Sequence, residues 1–318
     1  MIRPLTVETA LTTGHLDLVT TVVAVVTLAA YWWGWRRSDV TLGRGVVFSL
    51  LGVGVWLVAT ASSVGAYADT LFWVRALQVV LLLLVAPFGL ALGMPLTVLR
   101  EACSARGRAR FDSALGSRVA RALTHPAVTS GVILVTPWLF YLTPWYTAVL
   151  RGDALDVVTR LLFVVVGLGY FVTRLQVDPV PHRRPQSLSL LITLVETIGD
   201  GLLGVVLWQG PDIAHAYYAA LGRSWGPSLR TDQIIGAGVL WVLGDVVGLP
   251  FLLALFGRFR AEQESVAVEV DAALDAADRD ARDRGAAVAP SGDDGPDPAP
   301  AGGLWWEADP ELRRRFGR

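Results

Sequence analysis

The chain has 318 residues, 53% of them hydrophobic and 17% charged, with a net charge of −1 and a mean hydropathy of +0.50. That profile excludes an ordinary soluble globular domain, and the near-neutral balance excludes the basic field that nucleic-acid binders need. A single cysteine, Cys103, rules out an internal disulfide and any CxxC motif, leaving His15, His125, His182 and His215 as the histidine inventory for a metal.

Along the chain, apolar runs of bilayer length, about 17–25 residues, recur near 16–35, 46–66, 71–92, 129–150, 154–173, 189–208 and 234–256. Each is too long for a core helix of a soluble domain, and none shows the period-two alternation of a transmembrane barrel. The first run is followed by Arg36 and Arg37, not by a small-residue cleavage site, so a removable signal peptide is not expected. Pro87, Pro137, Pro144 and Pro250 are expected to kink or end helices. Trp32, Trp33, Trp35, Trp73, Trp145 and Trp225 fall near the run ends as an interfacial belt.

Arginines crowd alternate connections. They occupy the first (Arg36, Arg37, Arg44), the third (Arg100 to Arg121), the fifth (Arg174, Arg183, Arg184) and the start of the tail (Arg258, Arg260), whereas the second connection, GAYADT, has none. The positive-inside rule then places the N-terminus outside and the C-terminus in the cytoplasm. The expected architecture is an all-α integral membrane protein, a seven-helix transmembrane bundle spanning 1–260. A charged cytoplasmic helix over 261–284 and a disordered tail over 285–318 follow, the latter closing on a Trp/Arg-rich segment.

Ionisable groups inside the runs require a partner, a cavity or water. They are Arg75, Arg160, Glu196, Asp200 and Asp245, with Gln78 one turn from Arg75. At ~1.5 Å per residue, both arginines lie roughly 9 Å below the outer surface and Asp200 about 15 Å deep. An ion-pair cluster of Arg75, Arg160, Asp200 and Asp245 is one reading, and singly hydrated or snorkelling side chains are the other. Glu196 and Asp200 share a helical face, as a relay would require. His15 and His215 belong to the outer side as weak metal candidates. No Ser-His-Asp set, phosphate loop or HExxH motif is present, so no enzyme is expected.

The segment LFWVRALQVVLLLLVAPFGLALGMPLTVLRE resembles the signature of the CtaG-type cytochrome c oxidase assembly factors, which reads roughly H-M-x-Q-H, an apolar stretch, A-P, then L-x-L-G-x-P-L. Gln78, Pro87, Gly93 and Pro95 fall in register with it. GLGYFVTRLQVDP, carrying Asp178 and Pro179, and YYAALGRSWGPSLRTDQIIGAGVLW, carrying Asp232, Gln233 and Trp241, resemble later blocks of the family, in order. The resemblance covers about the first 260 residues. It implies seven spans, a bacterial-type cell membrane, and a role at the copper centre of the oxidase, with histidines near the outer face as copper ligands. In this chain those histidine positions fall on Arg75 and Val79, on Thr159 and Arg160, and on Asp200. Arginine cannot ligate copper at neutral pH, so a cofactor of the chain's own is not expected, and copper enters only through the family.

The functional expectation is a membrane protein of oxidase assembly whose partners are the lipid bilayer and oxidase subunits or other assembly factors, with its copper site lost. A small transporter or channel using the intramembrane Arg, Asp and Glu as a proton or anion relay is the alternative. A scaffold acting through its cytoplasmic tail is a third reading.

Overall fold

The computed structural model describes residues 4–14, 17–175 and 186–242 and scattered positions between 253 and 279, without the side chains of 186–194, 197 and 200. Contacts divide the chain into two units, Met1–Ala261 and Glu262–Arg318. Among the described residues every regular element is a helix. A bilayer core offers no water to an unpaired backbone group, so helices that satisfy themselves are what such apolar runs form.

The first unit opens on α1 (Val7–Thr12), started by a capping box in which Thr6 and Thr9 exchange side-chain and backbone bonds. Asp17 caps α2 (Leu18–Trp35), accepting from the Thr20 amide at 3.2 Å. A long helix, α3 (Leu42–Tyr67), contains a π-helical stretch at Phe48–Gly54 and a break at Ser62, whose hydroxyl recaps the chain on the Val64 amide. The next helix, α4 (Phe72–Leu92), has a second π-helical stretch at Leu81–Val85, directly before Ala86 and Pro87. Proline lacks an amide proton and crowds the carbonyl four residues back, and a wider turn there relieves both effects. The helix therefore continues through Pro87 instead of ending.

Met94, at φ 55, turns the chain into α5 (Pro95–Ala102), and α6 (Ala105–Leu115) and α7 (Arg118–Leu123) follow, each capped by a serine. His125 caps α8 (Pro126–Leu142), within which Pro137 is accommodated without ending the helix. Thr143 is extended and Pro144 opens α9 (Pro144–Arg151), bent 71° from α8. Then come α10 (Asp153–Leu175), α11 (Gln186–Gln209), α12 (His215–Ala220) and α13 (229–242).

Four helices, α2, α3, α4 and α10, are long and apolar enough to cross a membrane, and the bent α8–α9 pair makes up to five among the described residues. The fourth run, 129–150, is two helices, because Thr143 and Pro144 stop one ladder and start another, as expected of Pro144. The sixth run is helical as α11, and the seventh begins as α13 before leaving the described residues. The second unit is described only at Glu264, 271–276 and Arg279, all helical, so most of the expected 261–284 helix and all of the 285–318 tail lie outside the description.

At the centre of the first unit stands α4, with 78% of its apolar window buried against 22% for α2. It packs on the π-helical stretch of α3 and on α10. Glycine sets the approach: a Cβ on Gly89 would lie 2.5 Å from the Gly52 amide nitrogen, and one on Gly167 of α10 would lie 2.6 Å from Pro87 Cγ. Arg44 reaches across to donate to the Leu92 carbonyl at 3.2 Å, a cation at the C-terminal end of α4 where the helix dipole favours one. Outside, Val158, Leu162 and Val165 of α10 and Val128, Val132, Val135 and Leu139 of α8 are exposed at helical spacing. Apolar stripes of that length are a lipid face.

Candidate functional site

The buried arginine of α4 sits where α2, α4 and α10 all begin. Arg75 Nη1 donates to Asp156 Oδ1 at 2.7 Å and to Gln78 Oε1 at 2.9 Å, and Nη2 donates to Asp69. Arg160, one turn along α10, places Nη2 2.8 Å from the other oxygen of Asp156 and Nη1 3.2 Å from Asp17. Asp17 also accepts from the Thr20 hydroxyl, and Gln78 Nε2 donates to the Ala59 carbonyl of α3 at 2.7 Å. Asp69, Arg75, Asp156, Arg160 and Asp17 thus form one continuous chain of charge that ties the starts of three helices to α3. Only Asp69 is open, with 54% of its side chain exposed against 3% for Arg75. Partial burial raises the Asp69 carboxyl above its ordinary range, with Arg75 opposing.

A second polar knot lies at the start of α4. The helix lacks a capping side chain of its own, and Asp232 of α13 supplies one, accepting from the Trp73 amide at 3.0 Å while its other oxygen pairs with Arg223 at 3.1 Å. Burial raises the Asp232 carboxyl, against those two donors. Its neighbour Gln233 accepts from the Ile213 amide at 2.7 Å and donates to the Leu207 and Pro211 carbonyls, so it satisfies the backbone where α11 ends. The adjacent residues of the Asp-Gln pair therefore bind two different neighbouring segments.

The structure brings Arg75, Gln78 and Arg160 together, and it does so on Asp156, with Asp69 and Asp17 beside them. Asp69 lies in the connection GAYADT, and Asp17 and Asp156 fall at the first residues of their apolar runs; none of the three is among the groups expected to pair with the arginines. One signal was available, the four-residue spacing of Asp156 and Arg160; nothing local marks Asp69. The side chain of Asp200, and all of Asp245, Asp178, Pro179 and His15, lie outside the described residues. Glu196 is held elsewhere, accepting from the Tyr170 hydroxyl at 2.7 Å and lying 3.4 Å from Arg174. Pro87 faces the α10 contact, the Gly93 carbonyl accepts from the Tyr31 hydroxyl at 2.8 Å, and Pro95 opens α5. Trp241 is half-exposed beside Gly204. His215 opens α12 and lines a small cavity with Asp212, Tyr218 and Asp232.

The donors around Arg75 do not fit a copper ion. Guanidinium has no lone pair to give, and the carboxylates beside it are hard oxygen ligands already held by arginine, whereas Cu(I) takes imidazole, thiolate or thioether. Among the described residues no group of three or more His, Cys, Asp or Glu side chains is placed to hold a metal. What the arrangement does chemically is to neutralise buried charge and lock helix positions.

These features define a class: a multi-pass helical membrane protein whose helices are tied together by buried Arg–Asp pairs. The chain belongs to the cytochrome c oxidase caa3 assembly factor family (Caa3_CtaG), whose pattern matches residues 28–262. It is 24% identical over 282 residues to the uncharacterized protein Mb0105 of Mycobacterium bovis, which covers 85% of this chain and 42% of that protein, and equally to the uncharacterized protein MT0111 of Mycobacterium tuberculosis. A Mycobacterium leprae protein, uncharacterized protein ML1998, is 25% identical over 245 residues, 74% of this chain and 37% of its own length. The chain thus spans about two fifths of the length of the curated relatives it matches. No solved structure matches it significantly.

Proposed function

We propose that the chain acts in the biogenesis of the copper centre of cytochrome c oxidase, as a multi-pass protein of the bacterial cell membrane that works by contact with oxidase subunits or fellow assembly factors and holds no copper of its own. Membership of the assembly factor family over residues 28–262 carries this reading. The absence of a copper ligand is supported by Arg75 and Arg160, which stand at positions where the resemblance places histidine and are both bound to Asp156. In this reading the cluster is structural: it fixes the helix starts and so presents a rigid outer end to a partner. No enzymatic step is assigned to it.

The test is deletion of the gene in its native host, followed by complementation, with the a-type haem spectrum and the copper content of the oxidase as readouts. The expected result is loss of assembled oxidase on deletion and recovery with the wild-type chain. Unchanged oxidase after deletion would end the assembly reading. A tight equivalent of copper on the purified chain would instead end the proposal that it holds none, and leave assembly standing.

A further inference from the structure

We propose that α6 and α7 form an interfacial platform that binds the anionic headgroups of the bilayer in which the chain is embedded. Between Ala105 and Leu123 the chain carries five arginines and a single aspartate, Asp112. That aspartate is already taken, since Arg100 of α5 grips it with two bonds of 2.7 and 2.9 Å. Arg108 donates to the Cys103 carbonyl, which leaves Arg106, Arg110, Arg118 and Arg121 exposed and without a partner among the described residues. No residue of α6 or α7 is buried by the protein.

Position and chemistry select the occupant. The segment is tethered at both ends to helices that run into the membrane: α5 follows directly on α4, and only Thr124 and His125 separate α7 from α8. It cannot leave the bilayer surface by more than the reach of those short links. On α7, Val119 and Leu123 are four apart on one face and are 68% and 62% exposed, while Arg118 and Arg121 project from the other sides. A soluble polyanion would use the arginines and leave those apolar side chains in water. A bilayer interface takes both, the apolar face entering the acyl boundary while guanidinium groups reach phosphate oxygens. Arginine suits that partner because its planar fork matches phosphate.

The experiment uses the full chain with Cys103→Ser and Val119→Cys, spin-labelled at 119, in nanodiscs of phosphatidylcholine with or without phosphatidylglycerol. With phosphatidylglycerol the label is expected to lose contact with an aqueous relaxation agent, and trypsin cleavage after Arg106 to Arg121 to slow by about tenfold or more. High salt should reverse both effects. The same labelled chain carrying also Arg106→Gln, Arg110→Gln, Arg118→Gln and Arg121→Gln should lose the lipid dependence of the label's accessibility and of cleavage after Arg108, while its thermal unfolding stays unchanged. Equal accessibility and cleavage in the two bilayers would overturn the proposal, as would lipid dependence that persists in the four-fold variant. Equal protection by an oligonucleotide beside a neutral bilayer would overturn the choice of lipid as partner.

Discussion

Arg75 and Asp156 meet 2.7 Å apart across a sequence separation of 81 residues, and the same carboxylate holds Arg160 with its second oxygen. Asp156 is therefore the shared counter-ion of two buried guanidinium groups. Replacing it with alanine should destabilise the protein by about 3–5 kcal/mol, since removing one partner of a buried pair strands the other's charge. A thermal melt in detergent reads the loss. Arg75→Met combined with Asp156→Leu should recover part of it, because one stranded charge is removed while Arg160 keeps Asp17. An Asp156→Ala melt equal to wild type would refute the shared counter-ion.

Asp232 is expected to act on α4 from the far end of the sequence. Asp232→Asn keeps an acceptor for the Trp73 amide and should cost about 1 kcal/mol, in the range of a weakened helix cap. Asp232→Ala should cost more, because the Arg223 side chain, 5% exposed, then loses its ion pair as well. Hydrogen exchange at the first turn of α4 locates the effect; uniform loosening with no local opening there would argue against capping.

Gly167→Ala should be far worse than alanine at an exposed helical site such as Gly131, where a Cβ would meet nothing. At 167 it would overlap the Leu83 carbonyl and lie 2.6 Å from Pro87 Cγ, so α10 must move off α4. Overpacking of this kind costs about 1–3 kcal/mol. The comparison of the two melts is the check, and equal melts would mean the helices are not held at this separation.

On the arginine-rich connection, the Arg100 hydrogen bond holds the Asp112 carboxyl below its ordinary range. A depressed folded-state value means that this contact between α5 and α6 is fully present above the usual carboxylate range, near pH 4, and is lost as pH falls through the lowered value. A carbon-13 titration of Asp112 should show the depression, and Arg100→Gln should return it to the ordinary value.

Copper loading separates the side-chain chemistry from the fold. Arg75→His with Val79→His places two imidazoles one helical turn apart on α4, and this variant should gain about one Cu(I) after loading and washing in detergent. The wild-type chain should retain none. Tight copper on the wild type would send the search to His15 and His215.

The sequence by itself determined the class of the molecule: a stretch of apolar residues long enough to cross a bilayer must become helix, and that requirement is local. It also singled out Arg75, Gln78 and Arg160, since polar groups in such runs are visible without a fold. Their partners were not visible. The notional acids at matching depth, Asp200 and Asp245, were no better marked than Asp17, Asp69 and Asp156, because a guanidinium several ångströms long can reach acids on any adjacent helix or turn. Only the packing of α4 against α10 and α3, set by contacts at Gly167 and Gly89 that no period in the sequence announces, decided which carboxylates come within 3 Å of Arg75. The cap that Asp232 places on α4 was settled the same way: it depends on where a distant segment lies, and distance in space is a property of the folded chain.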